Sequence, residues 1–178
     1  PMIVDADDVR QFVGMVAGRA KTCLLLETPQ ALARLDDILA VGGVDEIYVG
    51  LNDLHLGMKL TFMFELLSGG IVEYMAGKIK ARGLPFGFGG MAKIGEGMLP
   101  AEHILGEHYR LGSQTVILSR TFRNETGDRA APIDLKAEIA KIRAKETELA
   151  AWTPDQFAEN QKTVKACVDR VVRRMANR

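Results

Sequence analysis

The stretch from Cys23 to Leu54, CLLLETPQALARLDDILAVGGVDEIYVGLNDL, reads as strand, helix, strand. Cys23 to Leu26 and Ile47 to Val49 are short continuous apolar runs, the pattern of strands buried on both faces of a parallel sheet. Thr28 stands as an N-cap before Pro29, Leu32, Leu35, Ile38 and Leu39 recur at helical spacing, and Gly42-Gly43 closes the helix. A crossover of this kind is right-handed, so the two strands run parallel and Glu27 and Asp53 emerge at the same C-terminal edge. The fold class is therefore α/β, and in barrels of that class the chemistry sits at this edge.

Two carboxylates meeting there raise one another's pKa unless a positive charge stands between them. A hard divalent ion resolves the conflict with few protein ligands, because Mg²⁺ or Mn²⁺ fills its remaining positions with water and substrate oxygens; other divalent ions fit the same logic. The competing reading makes Glu27 a cap of the following helix and Asp53 the turn residue that terminates its strand.

LLETPQA followed by GVDEIYVGLNDL resembles the paired signatures of the HpcH/HpaI aldolase and citrate lyase β-subunit family. The resemblance implies a metal-dependent (β/α)8 barrel acting on pyruvate-like enolates or CoA esters. It places the divalent metal on Glu27 and Asp53, and the backbone amides of Asn52 and Asp53 on the substrate carboxylate. Leu25 stands where the family's pyruvate aldolases usually carry Gln, and Leu51 where a Pro is usual. The apolar Leu25 suits citrate-lyase-like members better. A P-M-V-like motif ends the fourth barrel strand in that family, so Pro1-Met2-Ile3-Val4 sets the chain as the second half of the barrel, with about four β/α units. The family's catalytic His and substrate-binding Arg then have no counterpart in this sequence, and no general base is assigned.

Along the rest of the chain, Asp5 to Gly18 reads as a helix with Val9, Phe12, Val13 and Val16 on one face. Leu60 to Arg82 is helical by period, with Gly69-Gly70 as a point of kinking or division. His55, two residues after Asp53, reads as a solvated loop residue. Pro85 to Gly90 is a short glycine-ended strand, Pro100 to Leu111 a helix, and Gln114 to Leu118 the last strand. Arg120 follows it, placed either to bind a substrate carboxylate or to pair with Glu125. Asp134 to Leu149 and Pro154 to Asn177 are two further helices, the second with Thr153 and Gln156 at capping-box spacing and an apolar stripe through Phe157, Val164, Cys167, Val168, Val171 and Met175. Residues 1–130 are thus expected to form the half-barrel with the metal site, and 131–178 a helical extension. Its stripe returns to the barrel or crosses to a neighbouring subunit; the family resemblance implies a homo-oligomer.

Composition narrows the partners. Lys plus Arg and Asp plus Glu number 23 each, and 47% of residues are hydrophobic, an ordinary globular balance with no basic run for nucleic acid or an anionic membrane. No long apolar run or signal-like segment is present, so the expected setting is cytoplasmic. Cys23 and Cys167 read as small core hydrophobes without a disulfide. The expected activity is carbon–carbon bond cleavage or formation through the enolate of a 2-keto acid. The alternatives are a citrate- or malyl-type CoA-ester lyase and a catalytically silent half-barrel serving assembly.

Overall fold

The structure, a computed structural model, describes residues 2–122 and 133–177. Its elements are α1 (Ala6–Val16), β1 (Cys23–Leu26), α2 (Pro29–Ala33), α3 (Leu35–Leu39), β2 (Glu46–Val49), α4 (Leu51–Gly57), α5 (Glu65–Ser68), α6 (Ile71–Ala81), β3 (Phe86–Met91), α7 (Ala101–Leu111), β4 (Thr115–Leu118), α8 (Leu135–Leu149) and α9 (Pro154–Ala176). The strands form one parallel sheet in the order β1-β2-β3-β4, so the α/β alternation expected from the sequence is present. Residues 2–4 join no strand, although Ile3 is buried. Glu125 lies outside the described residues.

The chain divides into two compact units, Pro1–Gly89 with Ser113–Thr115, and Gly90–Gly112 with Val116–Arg178. In the first, register pairs Leu24 with Ile47, Leu26 with Val49, Ile47 with Phe86 and Val49 with Phe88, a row of side chains on one face of the sheet. All six are buried, together with Val9, Leu35, Ile38, Val72, Met75 and Ile79 from the helices. The other face is not packed in the same way. β1 alternates between exposed Cys23 and Leu25 and buried Leu24 and Leu26, which corrects the expectation of a strand buried on both faces and of Cys23 as a core residue. The physical reason is its place at the sheet edge, with helical cover on one side of the pleat.

Two helical expectations are revised, and a third, the division at Gly69-Gly70, holds. The segment after Pro29 breaks at Arg34, whose φ of −111° and ψ of 22° leave helical geometry, so α2 and α3 are separate. The helix expected from Leu60 begins only at Glu65, whose carboxylate accepts from the Thr61 and Phe62 amides at 2.8 and 2.7 Å. It then divides at Gly69-Gly70, where Gly70 adopts φ +81° and a Cβ on Gly69 would stand 2.8 Å from the Glu65 carbonyl oxygen.

The second unit is built on α7. Met91, Ala101, Leu105, Ile142 and Leu149 form its core with α8. Alpha-helix α9 starts with the expected capping box, Thr153 with Gln156, and lays Val164 and Val168 inward at 1% exposure. Its stripe is thus buried at Val164 and Val168, in a helix packed against α7, half-buried at Phe157 and Val171, and exposed at Met175. Cys167 is half-buried. Asn160 joins the two helices: its amide donates to the His103 carbonyl at 3.1 Å and to Glu107 at 3.0 Å, and its oxygen meets the His103 ring at 2.7 Å.

Candidate active site

Glu27 follows the last residue of β1, and Thr28 is the N-cap of α2. The Thr28 hydroxyl accepts from the Ala31 amide at 3.0 Å and donates to the Ile3 carbonyl at 2.9 Å. The capping role belongs to Thr28, which leaves the Glu27 carboxylate available. On the neighbouring strand, the Gly50 amide donates to the Leu26 carbonyl at 2.9 Å and Gly50 becomes the N-cap of α4. Asp53 therefore sits in the first turn of a helix, not in a turn that ends a strand. A carboxylate is stabilised there by the helix dipole. The i, i+3 pair Leu51 and Leu54, both at 1% exposure, is the sequence signal that marks this short helix.

The register of β1 and β2 brings Glu27 and Asp53 within hydrogen-bonding reach of one another. Partial burial is the largest influence that raises the Glu27 pKa above its ordinary value, followed by the charge of Asp53 and the hydrogen bond to it. The close approach depends on Gly50. A Cβ at that position would meet Glu27 Cβ at 2.8 Å, Glu27 Oε2 at 2.9 Å and Leu25 Cδ1 at 3.1 Å. Gly57, at the far end of α4, plays a matching part, since a Cβ there would meet Pro29 Cδ at 2.7 Å. Two glycines thus let α4 lie against the β1–α2 junction.

Around the pair, Asn52 is exposed, and the amides of Asn52 and Asp53 belong to a first helical turn, whose N–H groups lack intrahelical acceptors. Leu25 contributes an apolar wall next to Gly50. Tyr48, its register partner, lies on the same sheet face and donates its hydroxyl to the carbonyls of Phe88, at 3.1 Å, and Gly89. His55 is about 200° around the helix from Asp53, and its Nδ1 lies 3.2 Å from the Leu51 carbonyl oxygen. Among the described residues no group of three or more His, Cys, Asp or Glu side chains is placed to hold a metal ion. The donor set for a cation at this edge is the two carboxylates.

Arg120 belongs to the second unit, exposed in the 3₁₀ turn Arg120–Phe122. His103 and His108 are in that unit as well, and burial pushes the His108 imidazole down to about 3. The Asn160, His103 and Glu107 network was not legible as a site from sequence. Its signal is a polar residue on the apolar stripe of α9, four positions before Val164.

No protein-family model matches the chain, and no curated protein matches it. Among solved structures it is similar to the HpcH/HpaI aldolase from Desulfitobacterium hafniense DCB-2, at 19% identity and a TM-score of 0.46, over 82% of this chain. The chain spans about half of that protein, 48% of its length. No helix among the described residues is long and apolar enough to cross a membrane.

Proposed function

We propose that the protein is a divalent-metal-dependent lyase that makes or breaks a carbon–carbon bond through a pyruvate-like enolate of a 2-keto acid. Glu27 and Asp53 would hold Mg²⁺ or Mn²⁺. The observation that carries this reading is the pair itself: two carboxylates, one directly after β1 and one in the first turn of the helix that follows β2, brought close across Gly50, with the Glu27 pKa raised in part by Asp53. A cation between them turns that repulsion into attraction. The donor set suits a hard ion that keeps several positions for water and substrate oxygens.

When bound, the ion supplies Lewis-acid polarisation of the keto oxygen. The chain's own contributions are positional. The first-turn amides of Asn52 and Asp53 orient a substrate carboxylate, and Leu25 presents an apolar wall to the part of the substrate beside it. No residue among those near the pair is assigned as the base.

Calorimetric titration with Mn²⁺ tests the ligand set. Binding to the parent chain and its loss in Glu27→Gln and in Asp53→Asn support the assignment, whereas retained affinity in both removes it. The chemistry is tested by deuterium exchange into the pyruvate methyl group with Mg²⁺ against a chelated control. Leu25 favours a second reading, a CoA thioester in place of the free keto acid. Stabilisation by free CoA in a thermal shift, with no pyruvate exchange, would select it.

A further inference from the structure

The last turns of α9 carry a feature separate from the carboxylate pair. Val164 and Val168 are buried, but Val171 is only half-buried and Met175 is 40% exposed. With Met98, itself 61% exposed, and Cys167, whose thiol donates to the Met98 carbonyl at 3.4 Å, they floor a cleft of about 430 Å³. Arg170 and Arg174, one turn apart, line the same cleft. The ion pairs along α9 are Lys162 with Glu159 and Lys165 with Asp169, and neither arginine joins one among the described residues.

We propose that this cleft binds a free medium-chain carboxylate, with its alkyl tail on Met98, Val171 and Met175 and its head on Arg170 and Arg174. The volume falls in the range of small-molecule sites, roughly 300–1,000 Å³. Methionine side chains adapt to an apolar guest of irregular shape. Two guanidinium groups at i, i+4 repel each other, and a carboxylate accepting from both relieves that repulsion through charge-assisted hydrogen bonds. A second copy docked with its two-fold axis on this cleft would bring four arginines together, which opposes that arrangement.

The probe is octanoate, titrated into the chain carrying ¹³C-methyl methionine. Saturable shifts of the Met98 and Met175 methyls are expected, with acetate and 1-octanol, each holding half of the recognition chemistry, binding more weakly. The Arg170→Gln, Arg174→Gln double variant should weaken octanoate by about tenfold or more. Met98→Asp, at an exposed lining position outside α9, should remove the Met175 shift while circular dichroism stays that of the parent chain. Absence of saturable shifts at the two methyls, equal affinity for 1-octanol, or unchanged affinity in the double variant overturns the proposal. So does a dependence of those shifts on protein concentration without ligand, which would put a second copy in the cleft.

Discussion

Gly50 lies so close to Glu27 that a methyl group on its α-carbon would stand 2.8 Å from Glu27 Cβ and 2.9 Å from Oε2. Its φ of −80° suits any residue, so the requirement for glycine is one of space. Gly50→Ala should cost about 1–3 kcal/mol of stability through overpacking and weaken Mn²⁺ by about tenfold or more. Gly57→Ala, which presses on the Pro29 ring instead, should destabilise comparably and leave Mn²⁺ affinity near that of the parent. Denaturant melts with calorimetry separate the two. Equal loss of metal binding in both variants would mean that Gly50 acts through general stability alone.

The raised Glu27 pKa has a consequence for metal-free stability. The folded chain binds that proton more tightly than the unfolded chain, so stability falls as pH rises through the unfolded and then the folded pKa, and stays lower above both. Glu27→Gln should therefore raise the metal-free Tm near pH 8, and the gain should shrink as pH falls through the folded and then the unfolded pKa of Glu27, to little or nothing at about pH 4, the free carboxyl range. Calorimetric scans in a chelator at both pH values measure it. A gain that is constant with pH would assign the effect to packing.

Tyr48 is 6% exposed and its hydroxyl serves two backbone carbonyls, those of Phe88 and Gly89. Tyr48→Phe keeps the ring over Gly87 and removes only the donor. About 1 kcal/mol of stability should be lost in urea unfolding, with the slope of the transition unchanged.

Asn160→Leu tests the joint between α7 and α9. It keeps a side chain of similar size and leaves the buried Glu107 carboxylate without its amide donor, although Arg110 still pairs with it at 2.8 Å. A loss of about 2–3 kcal/mol is expected, because a buried polar group deprived of its partner bears its full desolvation cost. Asn160→Asp should be at least as damaging, since it sets two carboxylates face to face.

Much of this architecture is legible from local chemistry. The Thr28-Pro29 and Thr153-Gln156 caps, the strand between Cys23 and Leu26, and the helices 101–111 and 154–176 follow from caps and periodicity, which act within a few residues of chain. Pairing β1 with β2 follows from the parallel crossover, and with it the meeting of Glu27 and Asp53. Other features were out of reach. The break at Arg34 and the delayed start of the helix at Glu65 arise from conformations that apolar spacing does not encode.

Sequence alone determined the α/β alternation, the parallel register unit and which two carboxylates share a strand edge. Those depend on short-range propensity and on the handedness of a crossover. Only the tertiary structure decided that Leu25 and Cys23 stay exposed on the uncovered side of β1, that Asp53 lies in the first turn of a helix, and that Gly50 and Gly57 are the places where that helix closes on the side chains of Glu27 and Pro29. Exposure and close approach are properties of what stands opposite a residue. The side chain standing opposite comes from a distant part of the chain.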